Sequence, residues 1–230
     1  TLPAILLRAG LRFRFDIAWS LLSFGLPSVS SLVSVWILQL SDRYLLSSFG
    51  SLSQTASYTV AYTLGGALAP VAIAPFSLAW FSTIYTIAKR KDAGSIFQRI
   101  FRLYSMILLF AVFALSLVAT GALEMLFPPS YHATAPVIPI VALSTMFYGL
   151  YNVFVVGIYI RRKTWIGSIF TLLAALVNVG LNIVLIPPYG AMGAAISTLL
   201  AYTLLAFLAY VVNQRIYPIP FEINRFLLGL

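Results

Sequence analysis

Polar residues in this chain are gathered into short clusters, and six long apolar stretches run between them. A membrane-spanning helix needs about 20 predominantly apolar residues. By that measure the pattern predicts six spans: Ala18–Leu40, Ala56–Ala88, Leu103–Leu123, Val137–Ile160, Trp165–Ile186 and Ala191–Val212. Arg12, Arg14 and Asp16 open the first. The second is longer than one crossing requires and contains Gly65, Gly66, Pro70 and Pro75. A kink or break is expected there, because proline removes a backbone hydrogen bond and clashes with the preceding turn. A turn-rich link, Pro128–Pro136, separates the third span from the fourth, and Pro187, Pro188 and Gly190 end the fifth. The expected fold is an all-α, polytopic transmembrane helix bundle of about six spans.

Composition strengthens that expectation. Charged residues make up 8% of the 230, hydrophobic ones 61%, and the mean hydropathy is +1.00. A soluble domain carries roughly 25% charged residues to face water, so most of this surface must face lipid or other helices. The net charge of +9 does not point to nucleic acid, which requires basic residues on one face interleaved with stacking aromatics. With no cysteine and one histidine, disulfide frameworks, thiolate sites and multi-histidine metal sites are excluded. No metal and no cofactor is expected.

The basic residues also orient the spans. Lys and Arg in short loops favour the cytoplasmic side. One side receives Arg8, Arg12 and Arg14, then Lys89, Arg90, Lys91, Arg99 and Arg102, then Arg161, Arg162 and Lys163, then Arg215 and Arg225; the other receives Arg43 alone. Both ends of the chain are therefore expected in the cytoplasm of a multi-pass inner-membrane protein. The chain opens on Thr1 and reads as a piece of a longer polypeptide. Its tail from Tyr217 reads as a surface-lying amphipathic segment or the opening of a further span, the second being favoured.

Polar side chains inside a hydrocarbon environment are costly, so they line cavities or pair with one another. At 100° per residue, Ser28, Ser31, Gln39 and Asp42 of the first span fall within about 80°, with Arg43 at the edge of that face. Two readings fit Asp42 and Arg43: an interfacial ion pair at the helix end, or the outer lining of an aqueous cavity on a helix that continues through Leu46. Asn178 and Asn182 share a face of the fifth span and serve either helix–helix hydrogen bonding or cavity lining. Tyr58, Tyr62, Tyr148, Tyr151 and Asn152 suit a pocket for sugar rings, or interfacial anchoring. His132 is expected in water in the outer link. Gly190, Gly193, Ala194 and Ala195 suit close helix packing. No phosphate-binding glycine loop, HExxH or GxSxG occurs, and the loops are too short to fold as catalytic domains, so an enzyme is not expected.

Several segments carry a family resemblance. FGLPSVSSLVSVWILQLSDRYLLSSFGSLSQTASYTVAYTLG (Phe24–Gly65), YHATAPVIPIVALSTMFYGLYNVFVVGIYIRRKT (Tyr131–Thr164) and NVGLNIVLIPPYGAMGAAISTLLAY (Asn178–Tyr202) resemble, in that order, the C-terminal half of oligosaccharide and polysaccharide flippases. These belong to the multidrug/oligosaccharidyl-lipid/polysaccharide exporter superfamily. The resemblance implies one lobe of a two-lobe exporter: residues 1–14 finish an inter-lobe connection, 15–215 form the six-helix lobe, and 216–230 begin a possible further helix. It also implies partners: a polyprenyl-linked oligosaccharide substrate, the bilayer, an N-terminal lobe of the same polypeptide and a coupling cation. The implied activity is flipping of that lipid-linked oligosaccharide for surface polysaccharide synthesis. The substrate pathway would then include Ser28, Ser31, Gln39, Asp42, Arg43, Asn178 and Asn182. The chain departs from the family in offering Arg43 alone as a basic residue within the membrane body. Two alternatives compete, a multidrug or peptidoglycan-precursor exporter of the same superfamily and a membrane-embedded glycan-modifying enzyme.

Overall fold

A computed structural model of the chain describes residues 15–221, and every regular element among them is helical. In chain order these are α1 (Phe15–Phe49), α2 (Leu52–Gly65), a π-helical turn (Ala69–Ile73), α3 (Ala74–Ile87), α4 (Ala93–Leu126), α5 (Pro129–His132), α6 (Val137–Phe154), α7 (Val156–Ile160) and α8 (Thr164–Ile216). The stretches Leu52–Ile87, Ala93–Leu126, Val137–Ile160 and Thr164–Ile216 are each long and apolar enough to cross a membrane.

The last of these has 53 residues. At about 1.5 Å per residue it would be about 80 Å long if straight, far more than one crossing needs. It is not straight. Gly190 takes φ 54, ψ −129, a conformation that side chains with a Cβ rarely adopt. The site of a Cβ on Gly193 abuts the carbonyl group of Leu185, although eight residues of continuous helix would separate them by about 12 Å. The chain therefore reverses at Gly190, and α8 is two antiparallel spans. The sequence pattern ends the fifth span, last apolar residue Ile186, with Pro187, Pro188 and Gly190. Of the three, the glycine breaks the helix, which carries through both prolines. Proline lacks an N–H and fixes a helix-compatible φ, so near a helix end it is tolerated, whereas a positive φ stops the helix outright.

The predicted break in the second stretch falls where the glycines and prolines lie. The α-helical pattern ends at Gly65, passes through the π-helical turn that contains Pro70, and resumes in α3. Gly65 sits so close to α6 that a Cβ would lie 2.6 Å from the Ile138 carbonyl oxygen and 2.9 Å from Val141 Cβ. A glycine here lets two backbones approach, as small residues do between membrane helices.

The α6 helix is the most enclosed, packed against α8, α4 and α2, while α1 lies along α8. Phe110, Phe113, Leu117 and Val118 of α4 are exposed, as a lipid-facing surface requires. At one end of the bundle, here called the lower end, lie the basic turns 89–91 and 161–163. There Arg90 donates to both carboxylate oxygens of Asp92 at 2.9 and 3.1 Å, and this hydrogen-bonded pairing holds the exposed Asp92 carboxyl below the usual carboxylate range. Asn213 secures the same end: its Oδ1 accepts from Gly157 N at 2.7 Å and its Nδ2 donates to the Tyr217 carbonyl. Gln214 clasps Ile219 through both backbone groups, and Phe221 packs among Phe101, Phe154 and Tyr210.

Candidate functional site

The upper half of the bundle holds two polar assemblies that share a wall on α1. The first centres on Asp42, which is wholly buried. Its Oδ2 accepts from the Tyr58 hydroxyl of α2 and the Thr198 hydroxyl of α8, each at 2.8 Å. Its Oδ1 accepts from Asn182 Nδ2 at 2.8 Å and, more weakly, from the Ser41 hydroxyl at 3.4 Å. Asn178 completes the ring. It accepts from Ser41 at 2.8 Å and from Asn182 at 3.2 Å, and its amide faces the Thr198 hydroxyl at 3.4 Å. Three spans and α2 thus converge on one carboxylate. A buried charge is tolerated only when such partners replace its water. One acceptor in this ring stays uncommitted: Asn182 Oδ1 is buried and has no hydrogen-bond partner.

The second assembly is a cavity of about 300 Å³ on the other flank of α1, lined by Gln39, Arg43, Tyr62, Thr145, Tyr148 and Tyr202 among others. The Arg43 guanidinium lies 4.8 Å from the Tyr62 ring centroid, within cation–π range. Its Nη1 donates to the Gln39 carbonyl at 3.1 Å, and its Nε is buried without a partner. Tyr148 packs against Tyr202 at 5.4 Å and against Tyr151 at 6.3 Å.

Neighbours in sequence, Asp42 and Arg43 therefore serve different assemblies, because successive helical residues point about 100° apart. Since α1 continues to Phe49, the pair does not mark a helix end, and neither side chain bonds the other. The remaining expected residues divide in the same way. Asn178 and Asn182 join the Asp42 ring, and Gln39 joins the cavity. Ser31 donates to Ser168 at 3.0 Å and lies 3.3 Å from the Thr171 hydroxyl, bridging α1 to α8 below the ring. The side chain of Ser28 lies outside the described residues. Of the other candidates, Tyr58 belongs to the ring, and Asn152 donates to Ser77 while its carbonyl accepts from Trp80. His132 Nε2 contacts the Phe127 carbonyl at 3.0 Å.

Sequence reasoning missed Ser41, Thr198 and Tyr202. The signal was present for two of them: Thr198 and Tyr202 are four apart on the sixth span, so they share a face, just as Asn178 and Asn182 do on the fifth. Ser41 carries no such signal, because single serines are common in membrane helices.

Over residues 4–228 the chain matches the family model described as lipid II flippase MurJ. No curated protein and no solved structure matches it. The match supports the exporter superfamily that the segments above resemble, but not its oligosaccharide and polysaccharide branch. It also describes a transporter of lipid-linked precursor and not an enzyme. With nearly its whole length covered, this chain belongs to the lipid II flippase MurJ family.

Proposed function

We propose that this chain forms one wall of a pathway that carries a polyprenyl-diphosphate-linked peptidoglycan precursor across the cytoplasmic membrane, with the lower end of the bundle in the cytoplasm. The observation that carries the reading is Arg43. It is the one basic residue on the upper side of the bundle among the described residues, and it faces a cavity with a buried, unpaired Nε instead of pairing with the adjacent Asp42. A guanidinium held in this way suits a phosphate oxygen. The tyrosine and threonine groups around it offer ring faces and hydroxyls to an adjoining sugar. The opposite wall would come from an N-terminal lobe of the same polypeptide, and rocking of the two lobes about a central site would give alternating access.

The coupling cation would act at Asp42. Among the described residues it is the one acid away from the helix ends, and the unpaired Asn182 Oδ1 beside it offers a further oxygen. The Ser31, Asn178 and Asn182 contacts tie α1 to α8, so a change at the ring would move the wall that carries Gln39 and Arg43.

A lipid-linked oligosaccharide presents the same diphosphate, and the precursor is preferred because of the family match. The two readings part in cells. When the complete polypeptide replaces a depleted peptidoglycan-precursor flippase, growth should be restored, and Arg43→Ala should abolish the rescue at unchanged protein level. Failure to rescue growth, together with loss of surface polysaccharide on deletion of the native gene, would favour the oligosaccharide substrate.

A further inference from the structure

Above the Asp42 ring, at the upper end, lies a second cavity with a volume of about 750 Å³. Its rim and walls include Ser53, Gln54, Ser130, Thr134 and Tyr189, and no charged residue lines it. Its floor is formed one helical turn above the ring. Leu46 follows Asp42 by four residues on α1, Ile186 follows Asn182 by four on α8, and Gln54 precedes Tyr58 by four on α2. One turn is about 5.4 Å. Leu46 is 0% exposed and Ile186 2%, so these two side chains, packed in one cluster with Tyr58, Val137 and Ala194, seal a polar cavity from a buried carboxylate across a single turn.

We propose that Leu46 and Ile186 form an apolar gate between this vestibule and the Asp42 ring, through which a small monovalent cation reaches the carboxylate from the upper side. The inference rests on the transport reading for its purpose and on the proposed orientation for the side from which the ion comes. The geometry suits such a gate. A constriction of aliphatic side chains excludes water and ions without any charged barrier, and it opens when one side chain swings aside. The neutral, hydroxyl-rich vestibule hydrates a cation without trapping it. Ile186 lies four residues before the Gly190 reversal, the place in α8 where the helical ladder is already interrupted, so a small rotation there moves Ile186 without unwinding the ring below.

The test uses the complete polypeptide in proteoliposomes and reads the chemical accessibility of Asp42. A water-soluble carbodiimide with an amine nucleophile is applied from outside, and amide formation on Asp42 is followed by mass spectrometry. Wild-type protein should react slowly. The Leu46→Ala/Ile186→Ala pair should react at least tenfold faster, and sodium chloride in place of choline chloride should slow that reaction. Ile186→Val, one methyl smaller, should fall between, which preserves the test if the double variant does not fold. Because this chain has no cysteine, Gln54→Cys reports on the vestibule: a membrane-impermeant maleimide should label it from the upper side. Unchanged Asp42 reactivity in both gate variants would overturn the proposal, as would labelling of Gln54→Cys only from the lower side. The Arg43→Ala variant should retain the full accessibility pattern, so a failure of the precursor-transport reading is read separately from a failure of the gate.

Discussion

Asn182 of α8 donates its amide N–H to Oδ1 of Asp42 on α1 at 2.8 Å, and both side chains are fully buried. The same amide reaches Asn178 at 3.2 Å, so the bond both fixes one span against another and orders the asparagine pair. A carboxylate serves here because it accepts several hydrogen bonds at once, while Tyr58 arrives from α2 and Thr198 and Asn182 from the two spans of α8.

Removing that acceptor has a calculable consequence. Asp42→Leu leaves three donors buried without a partner, each costing about 1–3 kcal/mol. The variant should unfold in detergent well below the wild-type temperature. Asp42→Asn is the informative contrast. Its oxygen still accepts from Asn182, but an amide in place of Oδ2 cannot accept from the Tyr58 and Thr198 hydroxyls, which lose their acceptor. We expect a thermal stability between those of wild type and Asp42→Leu, with loss of any dependence of transport on a cation gradient, measured by imposing and collapsing that gradient in vesicles.

Glycine positions give a second, independent expectation. Gly65→Ala pushes a methyl against the Ile138 carbonyl and Val141, and should destabilise the α2–α6 crossing by about 1–3 kcal/mol, as overpacking does. Gly180→Ala meets nothing within 4 Å. It should be neutral or stabilising by up to about 1 kcal/mol. Thermal unfolding of the two variants side by side checks the contrast.

At the lower end, Asn213→Leu removes the acceptor for the buried Gly157 N–H and should cost about 1–3 kcal/mol. Asn213→Asp keeps the acceptor for Gly157 but loses the Nδ2 donor to the Tyr217 carbonyl, so it should spare the Gly157 contact while still destabilising this end. Hydrogen exchange at Gly157 should rise more in the leucine variant than in the aspartate variant, which keeps an acceptor for that N–H.

Much of this architecture is legible in the sequence because lipid imposes simple rules. The apolar runs mark the spans, and the glycine–proline cluster at 65–75 marks the interrupted second span. The site is only half legible. Periodicity gathers Asn178 and Asn182, and gathers Ser31, Gln39 and Asp42, but it cannot say which helix each face meets. Asp42 and Arg43 show the consequence. As adjacent letters they invite an ion pair, whereas the packing of α8 on one side of α1 and Tyr62 on the other draws them apart. The branch of the superfamily is the least legible feature, because a saccharide-bearing lipid diphosphate presents similar chemistry whichever glycan it carries.

The most direct test of the proposed pathway is flipping by the complete polypeptide in proteoliposomes, with a fluorescent peptidoglycan precursor and a polyprenyl-linked oligosaccharide supplied in parallel. The account predicts transfer of the precursor in preference to the oligosaccharide. It further predicts loss of that transfer in Arg43→Ala and partial retention in Arg43→Lys, where charge remains without the planar fork. Equal transfer by wild type and Arg43→Ala, at equal stability, would contradict it.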